Sequence, residues 1–292
     1  MELTLRNPQV VNGGQTLKAL FSAYDKHNRK DNSAKVMLRI YRFPYENTET
    51  HKKSIEIIKA LNSQNKINAS DLHSTDPKQV RIEHLLEKID PGYKYLRKRS
   101  KEAKSARYSI TMRNLSLKYY VCKKNLPHEG LRGNVEELFE ENTKYDEIFD
   151  ESAINKELSS NHVVVNYVTC WSIDQILPKI ELTKRDAEYF QFTKWFVLAD
   201  ICRKLNDWKQ KKFNSGMQIW IDFIESFQFE KAVFDYSRSA FKIGKEIIPA
   251  YVEAKTFLKT TEATKKFCSK TSIRNFESLM NKAYDRFQSK NE

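Results

Sequence analysis

Asn7-Pro8-Gln9-Val10-Val11-Asn12-Gly13-Gly14-Gln15-Thr16 is the stretch on which the reading of this chain turns. Residues 3–11 are rich in β-formers and run into two adjacent glycines. Beyond them Leu17, Leu20, Phe21 and Tyr24 recur at i, i+3, i+4 and i+7, which predicts a helix with a buried face. A strand, a glycine turn and a helix therefore follow in order. Glycines there permit positive φ and let a ligand approach the backbone closely. The first amide N–H groups of a helix have no intrahelical acceptor, so an anion such as a phosphate can sit against them. Asn12, Gly13, Gly14, Gln15 and Thr16 form a candidate phosphate site on this reading, and a polar-capped turn with no ligand is the plain alternative. The spacing is neither that of a Walker A loop nor that of a dinucleotide fingerprint.

Outward from the turn, residues 36–42 alternate as a strand, and 51–61 read as a helix with Ile55, Ile58 and Leu61 inward. That helix closes on Asn62-Ser63-Gln64-Asn65, a second candidate ligand site whose alternative is a solvated C-terminal cap. Asp76 before Pro77 predicts a capped helix through Ile89, stopped at Pro91-Gly92. Asp71 and Asp76 are candidate acidic support for either site.

Next comes Tyr93-Lys94-Tyr95-Leu96-Arg97-Lys98-Arg99. Period-2 alternation puts Tyr93, Tyr95, Arg97 and Arg99 on one strand face. Cations interleaved with rings can neutralise phosphates and stack bases, which makes Tyr93, Tyr95, Arg97, Lys98 and Arg99 a candidate nucleic-acid surface. A solvated basic edge strand is the competing reading.

From residue 110 helical periodicity dominates, with helices predicted over 111–123, 135–142, 187–211, 216–227, 233–243 and 273–287. Val163-Val164-Val165 reads either as a short strand or as the start of a helix over 167–176. The fold class expected is α+β: an α/β core over 1–109, carrying both polar motifs, then a helical region over 110–292. Seven glycines and seven prolines in 292 residues suit long helices better than many tight β turns.

Forty per cent apolar and 30% charged residues describe an ordinary globular composition. No apolar run reaches the ~20 residues that span a bilayer, and no secretory signal pattern opens the chain, so a cytoplasmic location without membrane partners is expected. The net charge of +13 favours a polyanionic partner. It is segregated: residues 94–107 hold seven bases and one acid, whereas 129–157 hold ten acids and three bases. Cys122, Cys170, Cys202 and Cys268 are far apart in sequence and read as reduced, mostly buried thiols. No Cys or His spacing marks a metal site. Glu253-Ala254-Lys255 with Asp235 has the E-x-K shape of a metal-dependent nuclease but falls in a helical segment. Trp195, Trp208, Phe213 and Trp220 read as core, and Glu136 to Glu141 as a solvated face.

The order of these motifs resembles the AIPR (abortive-infection phage resistance) family. Residues 7–16 are similar to its NPQIVNGxQT hallmark. The segment 62–67 is similar to its N-S-Q-N-x-I run. Asp71-Leu72, Ser74, Asp76, Gln79 and Ile82-Glu83 match its following helix, and Gly92-Tyr93, Tyr95 and Arg97-Lys98-Arg99 its basic strand. Leu138-Phe139 with Tyr145 and Ile148-Phe149 completes the series. The resemblance spans about residues 1–150 and implies an antiviral-defence role. Family members carry a substantial region before the hallmark, and this chain is expected to lack it. A more distant similarity to the DGQ-(H/Q)-R group implies a ParB-like core, but Asn12 and Thr16 replace that group's acid and arginine.

The favoured function is a defence module that binds DNA or RNA without turnover. A nucleotide hydrolase or nuclease is the second reading, with a nucleotide or divalent metal at the 12–16 turn and Asn62, Gln64 and Asp71 orienting water or metal. A helical module that recognises a protein partner in a defence system is the third.

Overall fold

The computed structural model describes residues 17, 21, 56, 68–98, 108–180, 184–249 and 253–291. The chain divides into two compact units, Met1–Asn68 and Ala69–Glu292. In the first, Leu17, Phe21 and Glu56 are helical. Leu17 and Phe21 were expected on a buried helix face. They are instead 53% and 69% exposed. The boundary at Asn68 falls well before residue 109, so the segment from Ala69 to Lys98 belongs with the helical unit.

That unit is mostly helical with a two-stranded parallel sheet, an α+β arrangement. Helix α1, Pro77–Glu87, starts as expected: the Asp76 carboxylate accepts from Lys78 N at 2.9 Å, and Pro77 occupies the first turn, where no amide donor is needed. Gly92, at φ +86°, turns the chain in a conformation that side chains with a Cβ avoid. Strand β1, Lys94–Leu96, pairs in parallel with β2, Ser109–Thr111, with Tyr95 opposite Ile110. The sequence pattern missed β2 because three residues are too short to show a period. Thr111 then caps α2, Met112–Lys124, by accepting from Asn114 N at 3.2 Å.

The acidic segment folds into two short helices, Glu137–Glu140 and α3, Asn142–Ile148. The three valines begin helix α4, Val163–Ile176, capped by His162. Val164, Val165, Tyr167, Val168 and Ile173 are completely buried, so burial on several faces overrides the β preference of the branched side chains. Helix α5, Lys184–Lys212, is about 43 Å long by the usual rise per residue. It packs against α2, α4 and the short helix Pro127–Arg132. Among the helices that follow are α6, Met217–Glu225; α7, Phe227–Glu246; and α8, Thr261–Lys270. The last is α9, Ile273–Asn291, which packs on α7.

Of the aromatic residues read as core, Trp208, Phe213 and Trp220 are buried, and Trp195 packs half-buried against the same core. Trp208 and Trp220 are buried among Phe213, Phe223 and Tyr284. Their indole N–H groups donate to Asn281 Oδ1 at 2.8 Å and Thr169 Oγ1 at 3.0 Å, which removes the cost of burying a donor. Glu253 lies just before a short helix, Ala254–Leu258, and Asp235 is exposed on α7. Among the described residues no helix is long and apolar enough to cross a membrane.

Lys209 sits against this aromatic core. It is 3% exposed, donates to Ser160 O, and lies 4.1 Å over the Trp220 ring. Burial pushes its amine down to about 7. An amine depressed below its unfolded value near 10.4 binds fewer protons folded than unfolded between the two. Stability attributable to Lys209 therefore rises with pH from about 7 to about 10, by up to ~1.4 kcal/mol per unit. Urea unfolding of wild type and Lys209→Met at pH 7 and 9 should show the difference moving in favour of wild type at pH 9. An unchanged difference would contradict a buried, titrating amine.

Candidate functional site

The described motif residues meet at the start of α1. Asp76 Oδ2 accepts from the Tyr145 hydroxyl at 3.0 Å, reached across from α3. Tyr145 in turn accepts from Gln79 Nε2 at 2.9 Å, and Gln79 Oε1 accepts from the Tyr95 hydroxyl at 2.7 Å. His73 stacks on Tyr145 with ring centroids 4.0 Å apart, and its Nε2 lies 2.9 Å from Phe139 O. Gln79 is completely buried, and Tyr95 and Tyr145 are nearly so. One continuous chain of hydrogen bonds therefore joins α1, β1 and α3.

Electrostatics follow from that wiring. Burial alone would raise the Asp76 pKa, but hydrogen bonds from His73, Lys78 N and Tyr145, with the nearby Lys78 charge, outweigh it and lower the value. Burial pushes the Tyr95 and Tyr145 hydroxyls well up, so both stay protonated and act as donors. Lys78 lies over the Tyr145 ring and bonds Asp146 Oδ1 at 2.5 Å. This arrangement fixes positions and charge states and keeps Asp76 ionised as a helix cap.

The expected stacking surface takes a different form. Tyr93 and Tyr95 do share one face of the basic segment, but it is the inner face: they are 0% and 2% exposed. Tyr93 packs edge-on against Tyr108 and Trp171 and donates to Glu225. Burial followed by the Glu225 hydrogen bond raises its pKa strongly. Rings held this way offer no face to a base. Two large apolar rings gain more by entering the core than by facing water once their hydroxyls find acceptors. Arg97 follows the same side, donating to Glu83 Oε2 at 2.9 Å and to the Ser74 carbonyl. Lys98 is exposed, as is Lys94 in the strand. Asp71 lies in the short helix Ala69–Leu72. Asn12, Gly13, Gly14, Gln15, Thr16, Asn62, Ser63, Gln64, Asn65 and Arg99 lie outside the described residues.

A family model described as AIPR protein matches residues 1–283. The chain belongs to the AIPR family. It thereby stands among abortive-infection phage-resistance proteins. Neither the characterised proteins nor the solved structures searched return a significant match.

The described family motifs of this AIPR chain are thus largely partners of one another. Aspartate, glutamine, glutamate, tyrosine and arginine from three separated motifs satisfy each other's buried and half-buried polar groups. Their spacing in sequence reflects a shared scaffold as much as a ligand site.

Two clusters escaped the sequence reading. Asp200 on α5 is 1% exposed and binds four groups: Lys204 Nζ at 2.8 Å, Arg203 at 2.9 Å, Thr271 Oγ1 at 3.2 Å and the Tyr236 hydroxyl. Burial lowers the pKa of Lys204 despite Asp200, and burial raises that of Tyr236. The available signal was an i,i+4 charged pair embedded in the apolar run Phe196 to Leu205. The second cluster joins Cys122, Cys170 and Cys202 from three helices. Sequence distances of 48 and 32 residues concealed it. A surface cavity of about 650 Å³ lined by Glu129, Arg132, Glu137 and Lys144 contains none of the motif residues, and its walls are mutually neutralised ion pairs.

Proposed function

We propose that this AIPR protein acts in phage defence by binding nucleic acid through the cations of its basic segment, without turning it over. The carrying observation is the segregated positive charge: +13 overall, with seven bases and one acid in residues 94–107. The buried rings of Tyr93 and Tyr95 remove base stacking by those side chains from the mechanism, and Arg97 is committed to Glu83 and Ser74. Recognition then rests on phosphate neutralisation by the remaining cations, Lys98 and its neighbours Arg99, Lys101 and Lys104. Such contacts read the backbone and carry little sequence information. Of the three candidate acids Asp71, Asp76 and Glu83, the last two are engaged in a helix cap and an ion pair, roles that support a binding scaffold better than general-base chemistry.

The test is a salt titration of binding to duplex DNA and to single-stranded RNA. A triple substitution, Lys98→Ala with Arg99→Ala and Lys101→Ala, removes about three phosphate contacts and should flatten the log–log salt dependence on duplex DNA by about 2.7. Arg97 is spared because its loss would strip Glu83 of its partner. A slope unchanged by the triple substitution overturns the proposal.

A further inference from the structure

Helices α2, α4 and α5 each bring one cysteine to the same point inside the helical unit. The Sγ atoms of Cys122, Cys170 and Cys202 all lie within 4.8 Å of one another, and Cys122 and Cys170 are 3.6 Å apart. All three are free thiols. Three of the chain's four cysteines thus converge from separate helices, while Cys268 lies elsewhere, beside Asn125.

The spacing has a chemical meaning. Metal–thiolate bonds of about 2.3 Å place sulfurs about 3.8 Å apart around a tetrahedral ion and about 4.0 Å apart around a trigonal one. The observed trio brackets those values, so small side-chain rotations bring all three sulfurs onto one ion. The helices that carry them pack directly on one another, which holds the triangle in place without a loop. The trio contains no carboxylate and no imidazole. An all-sulfur set selects soft cations such as zinc or copper(I) and disfavours magnesium or calcium, which demand oxygen. One turn from the sulfurs, Lys118 on α2 and Asp174 on α4 form an ion pair across the two helices. That pair is neutral overall, so the charge of the thiolates is left to the bound ion.

The geometry points to a buried three-thiolate centre, Cys122, Cys170 and Cys202, that holds one soft cation of the zinc or copper(I) class. Its position at the α2–α4–α5 junction gives it a structural role: the ion ties three helices that otherwise cohere by apolar packing and the Lys118–Asp174 ion pair. When the ion binds, three S–H bonds are lost, three metal–sulfur bonds form and the protons leave to solvent.

The experiment uses the full chain, purified with a reducing agent and without chelator, and measures metal content and cobalt(II) absorption. One equivalent of zinc or copper per chain is expected, with a sulfur-to-cobalt charge-transfer band on substitution. Offering zinc and copper(I) separately identifies the ion by which is retained through dialysis. Cys202→Ser is chosen because Cys202 is the least buried of the three and the variant should fold. It should lose about 100-fold or more in affinity, beyond the loss typical of removing an outer-shell partner, and Cys268→Ser should lose none. Returning the retained ion after it has been stripped with a chelator should raise the Tm of wild type and leave Cys202→Ser unmoved. Retention of neither ion, a cobalt spectrum lacking the thiolate band, or equal metal content in both variants overturns the assignment. A Cys122–Cys170 disulfide in the freshly isolated chain also overturns it. Because the salt titration above does not involve these residues, the two readings fail independently.

Discussion

Asp200→Ala is expected to destabilise the unit Ala69–Glu292 by about 3–5 kcal/mol, because it leaves the Lys204 ammonium buried without its counter-charge. Lys204 is 1% exposed, and Asp200 is its acidic partner. The same substitution takes an acceptor from Arg203, Thr271 and Tyr236. For a unit of this size the loss corresponds to a fall in Tm of roughly 6–20 °C. Adding Lys204→Met to Asp200→Ala should recover part of it, since the neutral side chain fills similar space and needs no counter-ion. Calorimetry of wild type, the two single variants and the double variant measures the coupling directly. Equal Tm values for Asp200→Ala and the double variant would show that the stranded charge is not the source of the loss.

The second large effect lies in the motif network. Gln79→Leu keeps the side chain's size and apolar stem but removes both ends of its amide. The Tyr95 hydroxyl then loses its acceptor and the Tyr145 hydroxyl its donor, both in buried surroundings. Stranding the buried Tyr95 hydroxyl costs about 1–3 kcal/mol and losing the bond to Tyr145, whose hydroxyl keeps Asp76, about 0.5–1.5 kcal/mol, so a loss of roughly 1.5–4.5 kcal/mol is expected. Tyr145→Phe, which leaves Gln79 Nε2 and Asp76 Oδ2 each short of one bond, should cost less, because Asp76 keeps the Lys78 amide. Denaturant unfolding of both variants, beside their DNA binding at low salt, separates scaffold from ligand site. Under the scaffold reading stability falls while binding per folded molecule holds. Lost binding with unchanged stability would assign Gln79 to a ligand instead.

How far the sequence carried the reading depends on the range of the interaction concerned. The capped start of α1 is a contact two residues along the chain, and it was legible because Tyr145, the distant partner of Asp76, takes the other carboxylate oxygen and leaves the capping bond in place. The long helices were legible because their apolar positions repeat many times, and the actual bounds of α2 and α5 fall within three residues of the expected ones. The short elements Pro127–Arg132 and β2 were not legible, because they span less than two repeats of any pattern. Val163 to Val165 shows local preference yielding: three β-branched residues form a helical turn where the surrounding helices bury every side of it.

The alternation of Tyr93, Tyr95 and Arg97 was correct while the side it faced was not. Period alone states which residues share a face, and only the rest of the fold states whether that face meets solvent or core. The scaffold role of Gln79 and Tyr145 is of the same kind: 66 residues separate them, and the hydrogen bond exists only because α3 is laid across α1.

By itself the amino-acid order determined the family, the helical character and the charge imbalance, since each is a property of neighbours, of repeats or of a sum over the chain. Tertiary structure alone decided that two tyrosines of the basic segment are core, that Asp200 and Lys204 close a buried network, and that three distant thiols meet. Those outcomes depend on which helix faces oppose one another, and packing sets that through contacts between residues remote along the chain.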